Sequence, residues 1–166
     1  MGKKGSLLDL VYIVLFVFFF SFSILIGYKI ADAVNTKAQA MSDMSTEGKT
    51  AVGKLPGYYS TIMDNGFLFF TIGIAIVTFI LAALVRVHPI FIPLYIIGLA
   101  FVVFLSAIFS NAYEAFAESS ELSSLSANLT LINYIMTYLP FIVGIFGTIL
   151  MVIMYKTWRA EELYGY

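Results

Sequence analysis

Three glutamates, Glu114, Glu118 and Glu121, follow one another at i, i+4 and i+7, a spacing that lines carboxylates along one helical face. Hard cations want several oxygen ligands, so the stripe could collect an ion or a basic protein partner. Three like charges so placed also repel one another, and a solvated acidic face requires no ligand. The lone histidine, His88, stands two residues after Arg86. Together they could sense pH or hold a lipid headgroup; the plainer reading makes both of them anchors at a membrane surface. Met1-Gly2-Lys3-Lys4-Gly5-Ser6 fits the N-myristoylation pattern and Asn128-Leu129-Thr130 a glycosylation sequon, both short enough to arise by chance. Ala31-Asp32-Ala33, after Lys3-Lys4 and an apolar run, has the form of a signal-cleavage site, but the run is too long for a signal core.

No stronger chemistry is written in the chain. It has no cysteine and one histidine, so thiolate metal sites, multi-histidine metal or haem sites and cysteine nucleophiles are all excluded. No nucleophile–base pair stands out. The expectation is a protein without catalytic residues, cofactor or metal. Nine Lys+Arg against ten Asp+Glu leave a net charge of −1, which offers nucleic acid no general attraction; only the basic termini could make weak, salt-sensitive contact.

The elements that carry these residues are apolar. Hydrophobic residues make up 61% of the 166 and charged ones 11%, with mean hydropathy +0.95, whereas a water-soluble domain is about 25% charged. Four stretches, 10–28, 67–85, 90–110 and 131–155, contain no Asp, Glu, Lys, Arg or His. Each is long enough to cross a hydrocarbon layer of about 30 Å as a helix. The expected fold is therefore an all-α integral membrane protein of four transmembrane helices in a single domain, 1–166. Only Arg86-Val87-His88-Pro89 separates the second and third spans, which predicts a tight antiparallel hairpin of neighbouring helices. Pro89 suits the first turn of the third helix and Pro93 is expected to kink it.

Lys3, Lys4, Arg86, His88, Lys156, Trp158 and Arg159 flank the spans on one side, so both termini are expected on the inner side. The links 29–66 and 111–130 fall on the other side. Ala31, Val34, Ala38 and Met41 recur at helical spacing, extending the first helix beyond the bilayer until Gly48, Gly53 and Pro56-Gly57 break it. Tyr58 and Tyr59 fit an interfacial belt, and Asp64 or Asn65 an N-cap for the second span. Leu122, Leu125 and Leu129 suggest a short interfacial helix after a turn near Ser119-Ser120, and Tyr155 with Trp158 an aromatic anchor at the far end. Small residues at Gly27/Ala31, Ser106/Ser110 and Gly144/Thr148 suit close helix packing within the chain or in a homo-oligomer. Pro140 is expected to bend the fourth span.

The strings Arg86-Val87-His88-Pro89-Ile90-Phe91, Ser110-Asn111-Ala112-Tyr113-Glu114, Asn133-Tyr134-Ile135-Met136 and Leu139-Pro140 resemble small multi-span membrane proteins of phage-type, membrane-containing tailless viruses. The resemblance covers residues 86–155. It implies a structural protein of an internal virion membrane that meets a coat or another membrane protein through its loops. Residues without charge in the spans fit such a scaffold better than a coupled transporter, which needs ionisable groups there. A holin-like pore and a channel or carrier for a neutral solute, near Asn133 and Pro140, are the alternatives.

Overall fold

The computed structural model describes residues 7–84 and 88–164, and among these every regular element is a helix. Lys3, Lys4 and Arg86 lie outside the described residues, as do the side chains of Trp158 and Arg159. In chain order the helices are α1 Leu7–Ala40, α2 Thr46–Gly53, α3 Leu55–Leu84, α4 Ile92–Ala117, α5 Ser123–Ser126, α6 Thr130–Thr137 and α7 Leu139–Tyr164. Four of them are long and apolar enough to cross a membrane.

Helix α1 carries one buried seam along its whole length. Leu10, Val14, Val17, Ser21, Ile24, Tyr28, Ala31 and Ala38 are all buried, at the alternating spacing of three and four that keeps one stripe facing a neighbour. The outward residues Tyr12, Phe16, Phe19 and Ile26 are just as apolar, so this helix is hydrophobic all round until Lys29 and Asp32. At 34 residues α1 is about 51 Å long, longer than a hydrocarbon layer of about 30 Å is thick.

The first helix continues into the segment 29–66 as its spacing predicts, as far as Ala40, and most of the remainder is helix as well. Only the turn at 41–45 and Lys54 interrupt it. Ser45 starts α2 by accepting a hydrogen bond from the Gly48 N–H at Oγ, 3.1 Å. Gly48 lies inside α2. Pro56 and Gly57 open α3; proline in a first turn gives up only an N–H that has no intrahelical partner there. Asp64 and Asn65 therefore sit mid-helix and cap nothing in α3.

Side-chain pairs set the arrangement of the bundle. Tyr28 stacks on Tyr59 and Phe20 on Phe67, so α1 and α3 run antiparallel. Phe18 meets Phe109 and Phe22 meets Phe116, so α1 and α4 run parallel. Phe79 packs on Phe146, and Tyr95 bonds the Gly147 carbonyl, placing α7 against both α3 and α4. Helices α3 and α4 barely touch each other. The expected neighbouring hairpin is corrected: the second and third long helices occupy opposite corners. The reason is that Leu84 and Ile92 are separated by enough chain, including a 3-10 turn at Pro89–Phe91, to span a diagonal of about 14 Å between helices packed about 10 Å apart. Pro93 lies in the first turn of α4, where it interrupts no hydrogen bond.

The fourth apolar run is two helices. α6 ends at Thr137, Tyr138 intervenes, and α7 begins at Leu139, so Pro140 marks a break inside 131–155 as expected of it. The core runs through all four corners, with Leu25, Val102, Leu129, Ile132 and Met136 fully enclosed.

Candidate functional site

Of the buried polar side chains, Ser21, Ser60 and Ser106 bond their own helices, whereas Asp64 and Ser110 reach α6. Asp64 of α3 is buried, and its carboxylate accepts from the main-chain N–H groups of Leu131, 3.0 Å, and Ile132, 2.8 Å. These are donors of the first turn of α6, which has no side-chain cap of its own at Leu129. A negative charge there also complements the positive end of the helix dipole. Asp64 is thus an N-cap supplied from another helix. Reading it as a cap for its own span identified its chemistry and missed its recipient.

The opposite end of α6 is held from α4. Pro140 has no N–H to return to the Met136 carbonyl four residues earlier. Ser110 donates to that carbonyl, 2.8 Å, and lies 3.4 Å from the Thr137 carbonyl. Between the two ends, Tyr113 donates to Asn133 Oδ1, 2.9 Å, and Asn133 Nδ2 donates to the Ser126 carbonyl, 2.7 Å. Ser126 in turn donates to the Ala117 carbonyl, 3.0 Å, closing the α4–α5 turn. No buried side-chain nitrogen or oxygen among the described residues lacks a partner.

The acidic stripe resolves differently from its expected form. Helix α4 stops at Ala117, so Glu114 alone is on the helix, Glu118 is its C-cap, and Glu121 falls in the turn beyond. All three are exposed, and no group of three His, Cys, Asp or Glu among the described residues could hold a metal ion. Glu121 instead pairs with Lys29 of α1. The hydrogen bond and charge of Lys29 hold the Glu121 carboxyl below its ordinary range, with slight desolvation opposing. This pair ties the two loop-side segments together. Leu122 and Leu129 beside it are buried and Leu125 packs on the core, as their shared face predicts. At the tip, Gln39 and Lys49 exchange bonds across the α1–α2 turn: Gln39 Nε2 to the Lys49 carbonyl, 2.8 Å, and Lys49 Nζ to the Gln39 carbonyl, 3.0 Å.

At the other end, His88 is exposed and its Nδ1 accepts from the Ile90 N–H, 3.3 Å, opening the 3-10 turn. Lys156 and Tyr155 are exposed. The small residues are packing sites within the chain. A Cβ on Gly27 would overlap the Tyr59 hydroxyl, which donates to the Ile24 carbonyl, 3.2 Å; Tyr59 thus turns inward, while Tyr58 is exposed. Ser106 is fully buried and bonds its own helix at Val103. Gly144 has ordinary space, 3.7 Å to Val103, while the close approach is at Gly147, where a Cβ would overlap Leu99. Gly147 has Val143 and Met151 four residues to either side, so small-xxx-small spacing does not single it out.

An apolar cavity of about 60 Å³ lies where α1 and α3 meet the α6–α7 break, lined by Leu10, Val17, Thr71, Ile74, Leu139 and Phe146 among others. Compared with family models, curated proteins and solved structures, the chain matches none.

Proposed function

We propose that the protein is an integral membrane scaffold whose loop-side end docks a protein partner. The carrying observation is that both links between its long helices fold into one ordered platform, joined by the Lys29–Glu121 pair and by Asp64 reaching from α3 to α6. Neutral transmembrane segments with a built extramembrane end suit attachment better than solute coupling. The setting implied by the sequence likeness is an internal virion membrane, with the platform toward a coat or another membrane protein and the basic termini on the opposite face. A pore or a carrier for a neutral solute needs a polar path, whereas Val14, Val17, Leu25, Val102 and Met136 fill the space between the helices.

Native purification from mild detergent tests this reading. A partner should be recovered in fixed ratio with the full chain, and replacing 41–54 by a short Gly/Ser turn should abolish recovery while the bundle stays folded. Recovery unaffected by that replacement, or release of dye from liposomes by the protein alone, overturns it.

A further inference from the structure

Helix α3 is the least covered of the long helices: 11% of its apolar window is buried, against 33%, 22% and 28% for the other three. Its outward face carries Tyr58, Ile62, Phe69, Ile72, Ile76 and Ile80, all large and exposed, at the spacing of three and four that suits another helix. Two glycines flank this stripe, Gly66 and Gly73, and a Cβ on either would meet nothing within 4 Å. Around Gly73 the surface is hollowed into a groove of about 270 Å³ between Phe69, Phe70 and Val77. Glycine weakens a helix by about 1 kcal/mol relative to alanine, and here neither glycine makes room for any part of its own chain.

The stripe crosses a boundary that limits its occupant. Phe69 to Ile80 lie in the apolar run, while Tyr58 and Ile62 precede it, on a helix about 45 Å long that outruns the hydrocarbon. Lipid tails cannot cover the outer part, and a water-soluble protein cannot reach the inner part. Another transmembrane helix that projects equally far can do both. The surface is also complementary to itself. Phe69, 77% exposed, follows Gly66 by three residues, and Ile76 follows Gly73 by three, so knob and hole repeat at an interval of seven. Helical side chains lean toward the N-terminus, which brings each knob to the level of the glycine one turn before it. A two-fold interface requires that kind of self-complementarity. At roughly 100 Å² per large side chain, the six offer on the order of 600 Å² before the glycine backbone is added, against about 800 Å² per partner in a standard interface.

We propose that α3 pairs in parallel with α3 of a second copy of this chain, Phe69 and Ile76 of each seated over Gly66 and Gly73 of the other. This goes beyond the scaffold reading and does not depend on its partner. It also moves self-association away from Gly27, Ser106, Ser110 and Gly144, which the chain uses internally.

Because the chain has no cysteine, single-cysteine variants in dilute liposomes can test the pairing by oxidative cross-linking. Ile62→Cys and Ile72→Cys should form disulfide dimers about 10-fold more than Phe104→Cys on α4 or Phe141→Cys on α7, equally exposed to lipid. Adding Gly73→Leu, which has open space in the monomer, should reduce the Ile62→Cys dimer by about 10-fold, the effect of roughly 1.4 kcal/mol in association. Equal cross-linking from all faces, or a dimer indifferent to Gly73→Leu, overturns the proposal.

Discussion

The Ser110 hydroxyl lies 2.8 Å from the Met136 carbonyl, the acceptor that Pro140 leaves without its usual helical donor. A break in a membrane helix is tolerable only where the freed carbonyl finds another partner, and α4 supplies it here. Ser110→Ala should lower stability by about 0.6–1.7 kcal/mol, the span of measured hydrogen bonds between membrane helices. Pro140→Ala restores a main-chain N–H and should make the loss at Ser110 much smaller. Unfolding in mixed micelles across the double-mutant cycle measures this coupling; additive losses would sink the assignment.

Removing the cap from another helix should expose α6. Asp64→Ala leaves the N–H groups of Leu131 and Ile132 without acceptors, at a cost of about 1–3 kcal/mol. Asp64→Asn keeps one acceptor oxygen and should fall between. Amide hydrogen exchange at residues 131 and 132 should rise in that order, with residues 95–105 on α4 unchanged.

The glycines should rank by the space that each leaves. Gly147→Leu and Gly27→Leu require Leu99 and Tyr59 to move, whereas Gly144→Ala finds 3.7 Å to Val103. Losses of about 1–3 kcal/mol are expected for the first two, the usual cost of overpacking, and under 1 kcal/mol for the third, typical of a small substitution away from close contacts. Tyr59→Phe should not relieve Gly27→Leu fully, because the ring remains on Tyr28. Thermal midpoints in detergent provide the ranking.

Acid should loosen the platform locally. Glu121 has its folded pKa lowered by Lys29, so the contribution of the pair is present above the unfolded carboxylate value. It is lost as pH falls through the lower, folded value. Both groups are solvent-exposed, so the effect is small and screened by salt. Protection from hydrogen exchange in 118–122, taken relative to the intrinsic rate at each pH, should drop below about pH 4, and Glu121→Gln should show the same reduced protection at neutral pH. A turn equally protected in both conditions would remove the pair from the account.

Hydropathy made the long helices legible, because Leu, Ile, Val and Phe run together wherever the surroundings on all sides are apolar. The same uniformity concealed which faces meet: on α1, buried Val14 and exposed Phe16 are chemically alike to any such reading. The spacing of Ala31 and Ala38 carried the extension of α1, but the glycines and proline after it read as breaks and hid α2 and the early start of α3. Pro140 announced the break at Tyr138. Asp64 announced a cap, but only the packed bundle could show that the capped helix lies 67 residues further on. The diagonal placement of α3 and α4 had no local signal, since a short connection constrains distance more than it constrains which corner comes next.

That diagonal also gives the order of synthesis a physical meaning. While the chain is being made, α3 and α4 emerge one after the other with little surface for each other, each able to rest on α1. Besides α1, helices α6 and α7 reach both, and they emerge after them. A chain stalled before residue 131 would leave three long helices splayed like an open book, with Ser110 and Asp64 lacking their counterparts on α6. Assembly of the bundle therefore has a defined interval in which it is incomplete, and that interval closes when the last helix arrives.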